Sequence, residues 1–198
     1  MKATKFIVTL ALPLGAGLAV TAQPVASLVF GQRWVGIEIV IAGIGLVFAN
    51  AWLVGINGEA YRAIGRPDMT VKLLVIAVLY YIPVYILAAP KGLLVFCIAR
   101  LAVGVAGLPL HFYVANRLFG VPFTYLKNLV KLPFIATLIM SILVYCSVLI
   151  LDPFVGLLGC AKLGFVLMLA VASYGLILWV LDKDYTVQTY KLIRAAIH

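Results

Sequence analysis

Long apolar runs separated by short polar segments make up most of the chain. A membrane-spanning helix needs roughly 20 mostly apolar residues, and six runs are about that long. They cover approximately residues 6–30, 35–57, 70–89, 92–115, 132–151 and 162–181. Two other segments, 121–131 and 187–197, carry apolar and polar stripes at helical spacing, as helices in the membrane interface do. The pattern predicts an all-α, polytopic membrane bundle of about six transmembrane helices with two interfacial amphipathic segments. We expect one transmembrane domain covering residues 1–198.

The first interfacial segment has clearly separated stripes. Its apolar stripe consists of Phe123, Leu126 and Val130, and its polar stripe consists of Thr124, Lys127, Asn128 and Lys131. We expect this segment to lie on the membrane surface before Pro133 begins the fifth span.

The connection between the second and third spans is the most polar stretch in the first half of the chain. Gly65 can adopt the left-handed conformation that ends a helix, and Pro67 suits the first turn of the next helix. Asp68 then lies beside the positive end of that helix dipole. Arg62 and Arg66 make the connection basic, and short basic loops between spans stay in the cytoplasm. We therefore expect Arg62, Arg66 and Asp68 in a cytoplasmic loop.

Composition and charge support a membrane protein and predict its orientation. Hydrophobic residues make up 66% of the chain and charged residues 11%, whereas soluble domains are about 45–50% apolar and about 25% charged. The net charge of +9 is dispersed among the spans, which indicates orientation signals and lipid contacts rather than nucleic-acid binding. Most lysines and arginines flank the two termini and the connections after spans two and four. This asymmetry predicts a multi-pass protein with both termini in the cytoplasm.

The first span has two interpretations. Lys2 and Lys5, followed by an apolar run that ends at Ala22, are typical of a signal peptide cleaved after that alanine. Pro13 and Pro24 favour an uncleaved span that is kinked near both prolines, because each removes a backbone hydrogen bond. We expect the uncleaved span.

Asparagines recur on one side of the second span. Gly43, Asn50 and Asn57 are seven residues apart and therefore share a helix face. Asn50 and Asn57 either bond to neighbouring helices or face a polar cavity in which they bind substrate hydroxyl groups.

The fourth span carries a charged residue within an apolar run. Arg100, Gly104, Gly107 and His111 fall on one helix face. A charge this deep in hydrocarbon costs about 2.5–3.5 kcal/mol, so Arg100 should face protein or water. The glycines allow another helix or a ligand to approach closely. Arg100 either pairs within the bundle or holds an anionic group in a polar cavity.

Motifs for catalysis, cofactors or metals are not recognisable in the sequence. It contains no phosphate-binding glycine loop, HExxH, GxSxG or paired cysteine motif. Two histidines and six acidic residues leave few candidates for acid–base chemistry. We expect no enzymatic activity, no cofactor and no metal.

Several short motifs resemble one family of membrane transporters. They are Leu28-Val-Phe-Gly-Gln-Arg-Trp34, Ala63-Ile-Gly-Arg-Pro-Asp68, Val121-Pro-Phe-Thr124, Leu132-Pro133 and Asp182-Lys-Asp-Tyr185. In their order and spacing they resemble the lipid-linked oligosaccharide flippases of the multidrug/oligosaccharidyl-lipid/polysaccharide exporter superfamily. The chain is similar to the carboxy-terminal six spans of that family, whose members usually have two bundles.

The resemblance implies a function and a set of partners. It implies alternating-access export of a lipid-linked oligosaccharide across the bacterial inner membrane, with Arg100, His111, Asn50 and Asn57 as candidate substrate-binding residues. Half a transporter would need an amino-terminal bundle, a second copy of itself or polysaccharide-assembly proteins. Two alternatives are an exporter of drugs or small solutes from the same superfamily and a membrane scaffold that does not transport.

Overall fold

The computed structural model describes residues 2–31, 33–151, 159–183 and 187, and these residues form helices and short connections. The helices are α1 (Lys2–Val20), α2 (Ala22–Val29), α3 (Ile37–Ala63), α4 (Asp68–Ala88), α5 (Leu93–Phe119), α6 (Phe123–Leu151) and α7 (Gly159–Leu181). A short 3₁₀ turn, Ala89–Lys91, joins α4 to α5. The predicted all-α class is confirmed.

The apolar helices are those of a multi-pass membrane protein. Four are long and apolar enough to cross a bilayer, namely α4 with its 3₁₀ turn, α5, α6 and α7. The pair α1 and α2 passes the same test as one bent span. The predicted second span corresponds to α3, which is 27 residues long and contains the apolar segment Ile37–Ala51. The described residues thus contain four or five spans besides α3, which lies where the sequence pattern predicts the second of about six spans.

The first span is broken between α1 and α2, whose axes differ by 65°. Pro24 has no N–H and cannot donate to the carbonyl of Val20, so one helical hydrogen bond is missing at this turn. The Gly17 carbonyl accepts hydrogen bonds from both the hydroxyl and the backbone N–H of Thr21, at 2.8 and 2.9 Å. The predicted kink near Pro24 is confirmed, whereas α1 continues through Pro13.

The first amphipathic segment is not separate from the span that follows it. Residues 123–131 form the first turns of α6, and the helix continues through Pro133, which is buried within it. The expected boundary at Pro133 is therefore absent. The second amphipathic segment, 187–197, lies outside the described residues except for residue 187.

The helices pack in the spatial order α4–α5–α3–α1–α6–α7, which places α1 and α3 at the centre. These two helices cross closely because Gly15 of α1 faces Gly45 of α3. A Cβ atom added at Gly15 would lie 2.7 Å from the Cβ of Ala49 and closer still to the Gly45 carbonyl. Helices α3 and α4 have few contacts with each other, and α5 and α6 have fewer still. Each of these consecutive pairs therefore diverges from its connection and leaves a space between the two helices.

Candidate functional site

The larger space is a groove between α5 and α6, with a volume of about 570 Å³. Its walls are mainly apolar side chains of α5 and α6, and α1 and α3 supply its floor through Leu12 and Asn50. The α5 wall consists of Val105, Leu108, Pro109 and Phe112, and the α6 wall consists of Phe123, Leu126, Lys127, Val130, Lys131 and Phe134. Near the connection the rings of Phe112 and Phe123 meet edge to face, with centroids 5.3 Å apart. The volume lies within the range of about 300–1,000 Å³ that is usual for ligand sites.

The groove has two cations on its α6 wall. Lys127 and Lys131 are four and eight residues from the first residue of α6, and a helix rises about 1.5 Å per residue. The lysines therefore lie about 6 and 12 Å along α6, between the apolar side chains of Phe123 and Phe134 on the same wall. Both lysines are exposed, and neither forms an ion pair within the described part of the chain. This combination suits a ligand with an anionic head and an apolar tail.

Asn50 is the one predicted site residue that lines this groove. Its side-chain amide donates to the Leu46 carbonyl one turn earlier in α3, at 2.8 Å. The amide oxygen can therefore accept a hydrogen bond from a ligand, while the amide nitrogen is held by the helix.

Asn57 is buried between two helices and does not line the groove. Its amide nitrogen donates to the backbone carbonyl of His111 in α5, at 3.1 Å, and the side chain is 6% exposed. This bond ties α3 to α5, as the helix-bonding interpretation of the asparagines requires.

His111 lines a second, narrower cleft of about 260 Å³, which lies between α3 and α4 and is closed at the back by α5. The tyrosines of α4 meet the predicted glycine face of α5 here. A Cβ atom added at Gly107 would lie 2.6 Å from the Tyr80 hydroxyl oxygen, and one at Gly104 would lie 3.7 Å from that of Tyr81. The glycines thus allow the close approach of another helix, as their small size predicts.

Three buried polar atoms belong to residues that line this cleft. They are the hydroxyl oxygens of Tyr61 and Thr70 and Nδ1 of His111, and none has a hydrogen-bond partner among the described residues. The Tyr61 ring is fixed by stacking on Phe119, with centroids 5.8 Å apart.

Arg100 lies at the other end of the same α5 face, away from the α5–α6 groove. It is exposed, and its Nη1 donates to the Tyr85 hydroxyl oxygen at 2.6 Å. It borders a small crevice of about 230 Å³ between α3 and α5. The structure therefore does not bring Arg100, His111, Asn50 and Asn57 into one site.

The loop residues occupy the predicted turn between α3 and α4. Gly65 has a φ of 71°, the left-handed conformation expected where a helix ends. Arg62 pairs with Glu59 at 3.2 Å, and Asp68 pairs with Lys72 at 2.9 Å. Each ion pair joins neighbouring turns of its own helix, α3 for the first and α4 for the second. Both are exposed, and such pairs stabilise proteins only weakly.

Comparison with known proteins adds no relative. The chain matches no protein family model, and no curated protein or solved structure is significantly similar to it. Within the described residues, no group of three or more His, Cys, Asp or Glu side chains is placed to hold a metal ion.

The sequence prediction did not include the lysines of the groove as site residues. Their signal was present in the striped pattern of residues 123–131, in which Phe123, Leu126 and Val130 alternate with Lys127 and Lys131. Such a stripe predicts a helix that has one apolar face. It does not distinguish a face that lies on lipid from one that lines a groove.

Proposed function

We propose that the chain is a membrane transporter, or the carboxy-terminal part of one, that exports a lipid-linked oligosaccharide precursor across the bacterial inner membrane by alternating access. The observation that carries the proposal is the α5–α6 groove, with its apolar walls and the two lysines of its α6 wall. A polyprenyl diphosphate-linked glycan has the matching parts, an apolar chain and a charged diphosphate.

The chemistry of the groove favours an anionic lipid over a cationic solute. Lys127 and Lys131 are about one turn apart on α6, or about 6 Å along the helix axis, and a diphosphate can interact with both ammonium groups. The apolar walls would bury part of the isoprenoid chain, which contributes roughly 25 cal/mol for each Å² removed from water. Asn50, on the floor, is available to hydroxyl groups of the glycan or to the diphosphate oxygens.

The proposed orientation is consistent with uptake from the cytoplasm. The excess of lysine and arginine around the termini and the α5–α6 connection favours the cytoplasmic side for that connection. Lys127 and Lys131 would then lie near the membrane surface where lipid-linked precursors are assembled. Transport also requires that the groove open to the other side, which in a two-bundle transporter follows from rocking one bundle against the other.

The test compares two lipids that differ only in charge. The chain is placed in lipid nanodiscs, and a photoreactive polyprenyl diphosphate-linked glycan is competed with unlabelled polyprenyl diphosphate or with the uncharged polyprenol. We expect the diphosphate to compete at least tenfold better than the alcohol. The double variant Lys127→Gln/Lys131→Gln should lose most of that preference.

Lys72→Gln is the matched control, because Lys72 is an exposed lysine on the same predicted side and does not line the groove. This variant should retain the full preference for the diphosphate. If the double variant also retains it, the groove is not the diphosphate site and the proposal fails. Flipping of a fluorescent polyprenyl diphosphate-linked glycan in proteoliposomes, measured together with the oligomeric state of the chain, then tests whether this chain needs a partner to transport.

A further inference from the structure

Arg100 has an unusual position for an arginine of a membrane-spanning helix. Its side chain is exposed at the surface of the bundle, seven residues after the start of α5 at Leu93. That separation is about 10 Å along the helix axis. A flexible arginine can bridge such a depth by extending toward the membrane surface, with its aliphatic part in the hydrocarbon and its charge among the lipid head groups.

The protein accepts only part of the hydrogen bonds that the Arg100 guanidinium group can donate. The group has five N–H donors, and within the described residues its one hydrogen bond runs from Nη1 to the Tyr85 hydroxyl oxygen. No carboxylate among these residues forms an ion pair with it. Hydrocarbon offers no acceptor for the other donors. Acceptors for these donors therefore come from outside the described part of the bundle, and a negatively charged one would also balance the charge of Arg100.

The surroundings fix the guanidinium and leave room beside it. Tyr85, its partner, packs on Phe96 with centroids 5.1 Å apart and on Tyr81 with centroids 5.4 Å apart. Beside Arg100 lies the crevice of about 230 Å³ between α3 and α5, with mainly apolar walls. Beside the crevice α3 and α5 approach each other closely at Gly43, where an added Cβ atom would lie 3.2 Å from the Cβ of Cys97.

We propose that Arg100 and this crevice bind a membrane phospholipid. The lipid phosphate accepts hydrogen bonds from the free N–H groups of Arg100, and the part of an acyl chain nearest the head group lies in the crevice. Phosphate is the group that the planar guanidinium holds best, through two parallel hydrogen bonds. The apolar crevice distinguishes a lipid phosphate from a phosphate ion in solution. This site is separate from the α5–α6 groove and does not depend on the function proposed for that groove.

The test measures lipid retention by native mass spectrometry of the delipidated full chain. Phosphatidylglycerol, phosphatidylcholine, a diacylglycerol without phosphate and inorganic phosphate are added in turn. We expect one molecule of either phospholipid to bind tightly to each chain and the diacylglycerol to bind at least tenfold more weakly. Millimolar inorganic phosphate should not displace the phospholipid. Arg100→Ala should weaken phospholipid binding at least tenfold, and Arg100→Lys should restore part of it because an ammonium group cannot make the two-pronged contact.

Arg117→Ala is the control. Arg117 is also exposed on α5, and its Nη1 also donates to a tyrosine, Tyr113, at 3.2 Å, but it lies at the opposite end of the helix. This variant should bind phospholipid as the wild type does. Equal binding by Arg100→Ala and the wild type would overturn the proposal, and so would displacement of the lipid by inorganic phosphate. Arg100→Lys keeps the charge, so intermediate binding by this variant shows that the loss in Arg100→Ala follows from the missing charge and not from misfolding.

Discussion

The two spaces beside α5 arise in the same way, but side chains reach into one of them and leave the other open. Each lies between consecutive helices that diverge from a short connection, α3 and α4 on one side and α5 and α6 on the other. In the α3–α4 cleft, tyrosines of α4 reach into notches made by Gly104 and Gly107. In the α5–α6 groove, no side chain of the described residues fills the space, and its volume is about 570 Å³ against about 260 Å³ for the cleft.

The difference shows how side-chain size decides which space remains available to a ligand. A pair of glycines facing a pair of tyrosines closes one side of α5 with the protein's own atoms. Leucine, valine and proline on the other side of α5 keep α6 at a distance, and two lysines give the opening a charge. We therefore assign a supporting role to the cleft and a binding role to the groove.

The largest expected effect comes from breaking the closed cleft. Gly107→Leu places a side chain where the Tyr80 hydroxyl now lies, so the Tyr80 ring must leave its position or α4 must move away from α5. Overpacking of this kind costs about 1–3 kcal/mol, and we expect a clear loss of thermal stability in detergent. Gly104→Ala is the control, because its added methyl group meets Tyr81 at an ordinary contact distance. Equal stability of Gly107→Leu and wild type would show that the cleft is not closed by this contact.

The next effect comes from filling the open groove. Leu108→Trp adds volume to the α5 wall without meeting a filled core, so stability should change little. Binding of the polyprenyl diphosphate should fall about tenfold, because the indole occupies the position of the lipid chain. Ile98→Trp, on an exposed position of the same helix outside the groove, should bind normally. Unchanged binding by Leu108→Trp would separate the groove from the lipid site.

A smaller effect is expected where α3 is tied to α5. Asn57→Ala removes the hydrogen bond to the His111 carbonyl, and bonds of this kind between membrane helices contribute about 0.6 kcal/mol on average. We expect a small decrease in melting temperature and no change in lipid binding. Asn50→Ala is the matched variant, because Asn50 bonds within its own helix and faces the groove. Asn50→Ala should instead leave stability unchanged and weaken glycan binding a few-fold, and the opposite pattern would reverse the two assignments.

The smallest effect is expected at a hydroxyl group that has no partner. Tyr61→Phe removes a buried hydroxyl oxygen that makes no hydrogen bond to the described residues, so no bond is lost. The stability of this variant should equal or slightly exceed that of the wild type in a thermal unfolding experiment. A loss greater than about 1 kcal/mol, the usual net value of a hydrogen bond, would reveal a partner for Tyr61.

The helices could be predicted from the sequence because their determinants are local. Apolar length fixed the approximate extent of the spans, and Gly65 and Pro24 marked a turn and a break that the structure contains. The boundary at Pro133 was wrong. A proline removes only one backbone hydrogen bond, and α6 continues through Pro133, which is buried in the bundle.

The site could be predicted only in part, because its geometry depends on contacts between helices. Helical spacing correctly placed Arg100, Gly104, Gly107 and His111 on one face, and the structure packs the tyrosines of α4 against that face. Spacing within one helix cannot reveal that α5 and α6 diverge. The groove, and the lysines that give it a charge, therefore emerged only from the packing of four helices.

The position of a bound lipid tests the central claim most directly. A polyprenyl diphosphate with a photoreactive group on its first isoprene units is activated in nanodiscs that contain the chain, and the labelled residues are identified by mass spectrometry. We expect labels on the groove walls, at Leu108, Phe112 and Val130, and their loss when unlabelled polyprenyl diphosphate is in excess. Labels spread over the lipid-exposed faces of α4 and α7, with none in the groove, would contradict the account.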